Sequence, residues 1–340
     1  MQIVLTYNLK KEDKTKPPDY FSEYDSKETI AAIVFALQSK GHQVETIDAV
    51  ETDLIAYFKK NHPDFVFNIA EGRPGKFRES EVPAILDYLN IPYTGSDSLS
   101  LAIALNKALT KKILRAENIP TPRFQLFSKG TERLNRNLRF PLIVKPNREG
   151  SAKGISVFSV VNSEKDLFKK IREIISLYQQ EALVEEFIEG KELTVGILEN
   201  ATPTVLPILE IDFSNCQQSG EYFYTWRMKE YQGNRELGLV PIFHCPARLD
   251  KKTEEAVKDV ALRTHRAIGC SDISRTDIRL SHDNTPYVLE INPLPGLNPK
   301  DSNFPLMAYA AGMKYEDLIE TILMNALLRR RRFLESIRSN

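Results

Sequence analysis

The run Pro286-Tyr287-Val288-Leu289-Glu290-Ile291-Asn292-Pro293 alternates apolar and oxygen-bearing side chains. In a strand successive side chains face opposite ways, so Glu290 and Asn292 project together while Leu289 and Ile291 are expected in the core. The earlier run Ile273 to Leu280 puts Arg275, Asp277 and Arg279 on one side and Ile278 and Leu280 on the other. A hairpin through Ser281 to Thr285 brings the two polar faces together. Asp277, Glu290 and Asn292 then offer hard oxygen donors, the set Mg²⁺ prefers when it also keeps waters and phosphate oxygens. The plainer reading is a solvated strand face with an ion pair between Arg275 and Asp277 or Glu290. Three oxygen ligands and an arginine beside apolar core positions are costly without a ligand, which favours a site.

Two further segments fit a bound nucleotide. In Lys145-Pro146-Asn147-Arg148-Glu149-Gly150-Ser151-Ala152-Lys153-Gly154, glycines let backbone N–H groups approach phosphate oxygens and a lysine supplies a point charge. The loop lacks the Gly-Lys-Ser/Thr end of a Walker motif, and basic β-turns of this kind are common. Glu185-Glu186-Phe187-Ile188 with Glu192 offers acceptors, backbone and apolar side chains at a strand edge, as an adenine slot needs; a surface strand with a carboxylate run reads equally well.

The elements that must position these groups form a mixed chain of 340 residues, long enough for two or three domains. The first hundred residues alternate strands (Ile3 to Thr6, Val44 to Ile47, Phe65 to Ile69) with helical stretches such as Thr29 to Lys40, the pattern of a parallel α/β sheet. A helix is expected over Leu99 to Glu117. An α+β unit follows, with strands at Leu142 to Lys145, Ile155 to Val160 and Leu183 to Ile188, and a helix Glu164 to Gln179 capped by Ser163. Beyond Lys191 come two strands, a polar and aromatic stretch Ser214 to Leu239 that reads as a lid, a helix Lys251 to Ala267 ended by Gly269, and the hairpin. Arg329 to Arg332 is expected to close the amphipathic helix Tyr315 to Leu328, where cations suit a C-terminus.

Hydrophobic residues make up 42% and charged residues 27%, ordinary globular values, and 46 basic side chains balance 46 acidic ones. No global field draws the protein to nucleic acid or membrane. Cys216, Cys245 and Cys270 show no CxxC spacing, the five histidines no metal pairing, and no apolar stretch reaches membrane-span length, so a cytoplasmic setting is expected.

KPNREGSAKGI, LVEEFIEGKELTV, and RTDIRL through VLEINPLPG occur together in this order in one family. The chain resembles the D-alanine:D-alanine ligases, of the ATP-grasp superfamily, from about the PYTGS segment to the PLMAYAAGM segment. The resemblance implies an ATP-grasp fold with an N-terminal parallel-sheet, Rossmann-like pre-ATP-grasp domain (1–105), a central lid domain (106–190) and a C-terminal domain carrying the metal site (191–340). It implies ATP and two Mg²⁺ ions, with Mn²⁺ a possible substitute, and small-molecule partners, with a homodimer possible. Lys107 and Lys145 match the phosphate lysines; Glu149, Gly150 and Ser151 belong to the mobile loop, with Lys229 beside it. Glu185, Glu186, Phe187, Ile188 and Glu192 match the adenosine pocket, and Asp277, Glu290 and Asn292 the metal ligands. Arg275 and the Gly296 backbone match the oxyanion-stabilising pair, and Ser302 the serine that binds the second substrate's carboxylate.

The chain departs from the family at the first-substrate end. The N-terminal Gly-Gly-x-Ser-x-Glu loop is replaced by Thr6-Tyr7-Asn8-Leu9-Lys10, although Glu23 aligns with the glutamate that holds the first substrate's ammonium. The His-Gly loop reads Glu71-Gly72-Arg73-Pro74-Gly75, with carboxylate in place of imidazole. The tyrosine expected to partner Ser151 falls near Glu230 and Tyr231, beside Lys229. The leading expectation is an acyl-phosphate ligase forming a dipeptide for cell-wall peptidoglycan. Its rivals are a ligase for another amino acid or peptide, and a non-catalytic Mg-ATP-binding regulatory protein.

Overall fold

The computed structural model describes residues 1–199 and 202–338. Strands β1 (Gln2–Tyr7), β2 (Gln43–Asp48) and β3 (Phe65–Asn68) form a parallel sheet in the order β2-β1-β3. Helices α1 (Lys27–Ser39) and α2 (Leu54–Lys60) make the crossovers that parallel pairing requires, each started by a side-chain cap, Ser26 and Asp53. The run Ile3-Val4-Leu5 is apolar throughout because β1 is buried on both faces: Ile3 and Leu5 pack with Ile33 and Leu37, and Val4 with Phe58, Val82 and Leu86. The last two belong to α3 (Arg78–Tyr88).

The single helix expected over Leu99 to Glu117 is two, α4 (Ser98–Leu105) and α5 (Lys107–Ala116). At the break, the Asn106 side chain accepts the Leu109 N–H, and the Asn147 side chain takes the Ala108 N–H. An asparagine that offers its oxygen to the backbone competes with helix continuation and restarts the helix instead. Lys107 thereby becomes the first residue of α5.

Strands β4 (Phe124–Phe127), β5 (Leu142–Pro146), β6 (Val160–Val161) and β7 (Ala182–Glu186) form an antiparallel sheet in the order β4-β7-β5-β6. Helix α6 (Glu164–Tyr178), capped by Ser163 as expected, lays Leu167, Ile171 and Ile174 on Leu142, Val144, Ala182 and Val184. The strand expected over Ile155 to Val160 is instead a 3₁₀ turn, Val157–Ser159, in which Ser156 N–H donates to the Ser159 hydroxyl and not to a neighbouring strand.

The third sheet holds β8 (Lys191–Leu198), β9 (Thr204–Val205), β10 (Leu209–Asp212), β11 (Ile242–His244), β12 (Ile273–Leu280) and β13 (Pro286–Asn292). Its order is β11-β10-β8-β12-β13, with β9 on β8, antiparallel throughout. The short helix α7 (Trp226–Glu230) lies in the aromatic stretch, and α8 (Lys251–Ile268) ends at Gly269 with φ +75°. Leu193, Val195, Ile197, Ile278, Leu280 and Val288 pack on Val257, Val260 and Ala261 of α8 and on Leu114 of α5. Each such side chain contributes about 1.5–3 kcal/mol, which holds the opposite, polar face in place. Helices α9 (Asn303–Ala310) and α10 (Tyr315–Arg338) return to the first sheet, where Phe304, Leu318 and Ile319 join the core of Ile3 and Leu5.

The arginine run does not close α10; the helix continues through it to Arg338. Arg329 donates to both Asp272 oxygens (3.1 and 2.9 Å) and to the Tyr93 and Gly95 carbonyls (3.1 and 3.0 Å). Its role is a clamp between the helix, the 93–95 turn and Asp272 at the entry to β12.

Candidate active site

Period-2 alternation on the third sheet places the polar groups in three cross-strand rows. Glu192 faces Arg279, Thr194 faces Asp277 which faces Glu290, and Gly196 faces Arg275 which faces Asn292. Arg275 forks onto Asp277 through Nε (3.0 Å) and a terminal nitrogen (2.9 Å), Thr194 donates to the same carboxylate at 2.6 Å and Asn292 Nδ2 at 3.2 Å. The expected hairpin and shared face are both present. One detail differs: Leu289 does not enter the core. A bulge pairs Asp277 with Glu290 but Ile278 with Val288, so Val288 takes the core position and Leu289 lines the cavity.

Lys107 reaches across from α5 to Glu290 (3.1 Å) and the Glu149 carbonyl (2.5 Å). Burial works against the Glu290 carboxylate, yet the charges of Lys107, Lys145 and Arg275 prevail and hold it down at about 2. Lys145 and Glu185 share the cavity face of the second sheet, Lys145 Nζ lying 3.1 Å from Glu185. A third group completes this cluster: Lys111, fully buried, 3.2 Å from Glu185. Burial, partly offset by Glu185, draws its ammonium down to about 8.

Glu186 faces the other way, as alternation requires, and accepts the Arg139 N–H, so its carboxylate is occupied outside the cavity. Phe187 packs edge-on against Phe223 and Tyr222 (centroids 5.4 and 5.9 Å), with the Arg279 guanidinium 5.1 Å from its ring centre. Arg279 also donates to Glu192 (3.0 Å) and to the Ile188 carbonyl (2.9 Å). An apolar, aromatic slot bounded by backbone and one paired carboxylate results.

The 147–154 loop folds back through left-handed residues Ser151, Ala152 and Gly154. Gly150 N–H donates to Glu23 at 2.6 Å, and a Cβ at Gly150 would sit 2.7 Å from that oxygen. The same carboxylate receives Arg78 at 2.5 Å, with Lys153 3.6 Å away. Burial alone would raise it, but Arg78 and Lys153 outweigh burial and bring it to about 2. Glu149 pairs with Lys153 and accepts from Gln180. Ser151 Oγ accepts from Lys229 at 2.5 Å; Glu230 pairs with Lys10 and Tyr231 packs on Trp226, so the lysine itself is the partner of Ser151. At the opposite end Ser302 Oγ accepts the Asn298 N–H at 3.0 Å, leaving its own proton free to donate, and a Cβ on Gly296 would lie 2.9 Å from it.

One cavity of about 230 Å³ is lined by Lys107, Lys145, Glu185, Asp277, Glu290 and the loop residues Glu149 to Ser151, together with Glu71 and Glu79, and Lys111, Arg78, Lys153 and Thr194 hold these lining groups from behind. All the sequence candidates except the back-facing Glu186 carboxylate bring side chain or backbone to it. Sequence reasoning missed Lys111, Arg78, Glu79, Lys153 and Thr194. Lys111 was within reach, since it lies one helical turn from Lys107 on α5. The others depend on loop geometry that no short pattern encodes. The oxygen set of Asp277, Glu290 and Asn292 fits a hard divalent cation, and the lysines around it fit phosphate oxygens.

A family model described as "D-ala D-ala ligase C-terminus" matches residues 113–324. An uncharacterized protein of Sinorhizobium fredii, y4sG, is 34% identical over 86% of this chain and 85% of its own length. A D-alanine:D-alanine ligase of Carboxydothermus hydrogenoformans is 36% identical over 87% of this chain and 91% of its own. The crystal structure of the D-alanine:D-alanine ligase of Bacillus anthracis, solved in complex with ATP, superimposes with a TM-score of 0.74 at 26% identity, covering 98% of this chain and 99% of that one. Motifs, fold and matched length agree, and the chain belongs to the D-alanine:D-alanine ligase family, with its ATP-grasp fold.

Proposed function

We propose that the protein is an ATP-dependent ligase that phosphorylates the carboxylate of one amino acid and joins it to the amine of a second. The observation that carries this reading is the pair of rows Asp277–Glu290 and Arg275–Asn292, with Lys107 drawn onto Glu290. That arrangement gathers oxygen donors and cations at one wall of the cavity, where a triphosphate needs both.

In the first step a donor carboxylate oxygen attacks the γ-phosphorus and ADP leaves. Two anions must approach, so Lys107 and Lys145 act by lowering the charge of the phosphates; Asp277, Glu290 and Asn292 would hold magnesium, which would supply further neutralisation. Mn²⁺ suits the same donors. In the second step the neutral amine attacks the acyl carbonyl, and phosphate departs with the amine's proton. Arg275 and the Gly296 N–H stabilise the oxyanion, a contribution of about 3–4 kcal/mol per donor. The adenosine lies in the slot of Glu185, the Glu186 backbone, Phe187, Ile188 and Glu192. Ser302 donates to the acceptor's carboxylate, Glu149, Gly150, Ser151 and Lys229 cover the reacting groups, and Glu23 and Glu71 bound the donor.

The three units 1–105, 106–190 and 191–340 each carry one sheet, and the cavity draws residues from all three. Among the described residues no helix is long and apolar enough to cross a membrane; a ligase fed by ATP and free amino acids belongs in the cytoplasm. The first product to test is D-alanyl-D-alanine, the dipeptide of peptidoglycan precursors. Purified protein with Mg-ATP and amino-acid pairs should release ADP in proportion to dipeptide. ATP binding without ADP release on any pair would favour a regulatory role instead.

A further inference from the structure

The donor end of the cavity carries two carboxylates that have no ion-pair partner among the described residues. Glu71 and Glu79 both line the cavity, and among the described residues neither carboxylate accepts a hydrogen bond or has a cation within ion-pairing distance. The adjacent positive charge, Arg78, is committed to Glu23 and the Arg148 carbonyl, and Lys153 to Glu149 and Glu23. Lys229 donates to the neutral Ser151 hydroxyl and reaches Glu71 only through space, with no contact at ion-pair distance. Glu23, the residue aligned with the family's ammonium-binding glutamate, thus spends its charge inside the protein, fastening the loop through Gly150 N–H.

The two free carboxylates are held where they are. Gly72 N–H donates to the buried Asn8 side chain at 2.8 Å, and a Cβ on Gly72 would lie 1.9 Å from the Arg78 carbonyl. The backbone carrying Glu71 is therefore pressed against the start of α3, from which Glu79 projects. A first-turn carboxylate is favoured by the helix dipole, which accounts for an acid at position 79 but not for a second one facing the same space. Two like charges facing one half-buried cavity are unfavourable unless a ligand neutralises them. Burial raises both carboxyls above their ordinary range, Glu71 with added repulsion from Glu79 and Glu23, and Glu79 to about 7 against the pull of Arg78, consistent with that shortfall of positive charge.

We infer that the donor of this ligase is an amino acid with a second cationic group besides its α-ammonium, and that Glu71 and Glu79 recognise the two charges. A diamino acid or an amidine-bearing amino acid has this chemistry, whereas a small neutral side chain leaves one carboxylate unmatched. The inference rests on the ligase reading proposed above, whose donor it specifies.

The test measures ADP release and dipeptide mass with Mg-ATP, D-alanine as acceptor, and a panel of donors: alanine, 2,3-diaminopropionate, ornithine, lysine and arginine, each as both enantiomers. A basic donor should exceed alanine in kcat/KM by about tenfold or more, the scale of one charged hydrogen bond. Glu71→Gln and Glu79→Gln should each reduce that ratio by about tenfold, by raising the KM of the basic donor more than by lowering kcat. Thermal unfolding of each variant reports on folding, and calorimetric titration of the wild type with the basic donor and an ATP analogue gives a readout independent of the variants. Alanine used as well as any basic donor, or ratios unchanged in both folded variants because the carboxyls merely share a proton, overturns the inference and leaves the ligase standing. ADP release with no amino acid at all overturns both.

Discussion

At the nucleotide end of the cavity the cations meet carboxylates, Lys107 with Glu290, Lys145 and Lys111 with Glu185, and Arg279 with Glu192. At the donor end Glu71 and Glu79 have no cation within ion-pairing distance among the described residues. The first arrangement is prearranged for a ligand that brings its own balanced partners, a polyanion with its metal. The second waits for a ligand that brings positive charge. The family motifs fall on the first region, and the departures from the family fall on the second. Reaction class and substrate choice are therefore written in different parts of one cavity.

The comparison breaks most visibly at Glu290. Glu290→Gln removes one oxygen donor and leaves Lys107 without its counter-ion, so ADP release should fall by about 1000-fold while the circular dichroism spectrum is unchanged. Retained activity would remove the metal assignment. Lys111→Met tests the next layer. It leaves Glu185 facing Lys145 alone in a buried setting, and unfolding in urea should show a loss of about 3 kcal/mol together with a raised KM for ATP. A purely structural lysine would shift stability and leave that KM alone.

Glu23→Gln sharpens the contrast from the other side. If Glu23 fastens the loop, its loss should cost about 2–3 kcal/mol and expose the 150–153 segment to protease. The sign with pH follows from a folded value of about 2 against the usual 4.5. The ionised form is favoured by folding, so its contribution is full above about 4.5 and disappears as pH falls towards 2, and the variant should flatten that part of the acid-denaturation profile. Glu79 has the opposite sign. Its folded value of about 7 lies above the usual 4.5, so stability declines as pH rises between them. Glu79→Gln should therefore gain about 1–2 kcal/mol at pH 8 relative to pH 5, the smallest of these effects because a cavity-facing group is partly screened. A variant no more stable at pH 8 than the wild type would show that Glu79 already has a partner.

Much of the fold was legible because it rests on local chemistry. The alternation of Arg275, Asp277 and Arg279 against Ile278 and Leu280 is a one-strand property, and the Ser281 to Thr285 turn joins it to its mate. Ser163 and Gly269 mark helix ends by propensity alone. What escaped depends on neighbours distant in the chain. Asn106 breaks a helix because its side chain, with Asn147 from a loop of the second sheet, offers oxygens to the α5 backbone. Leu289 leaves the core because a bulge decides which of two adjacent apolar residues goes inside. The Arg329 run looks like a helix terminus until Asp272 and the 93–95 turn are placed beside it. At the site the same division holds. The shared face of Asp277, Glu290 and Asn292 was readable, but whether Glu23 is free or spent required knowing that Arg78 and Gly150 converge on it.

The account stands most directly on whether the donor's own carboxylate is phosphorylated. A donor amino acid carrying heavy oxygen in its carboxyl group, turned over with Mg-ATP and an acceptor amine, should pass one labelled oxygen to the released phosphate, detectable by mass spectrometry. Dipeptide accompanied by unlabelled phosphate, or label left wholly in the amino acid while ADP accumulates, would contradict an acyl phosphate formed at the Asp277–Glu290 wall.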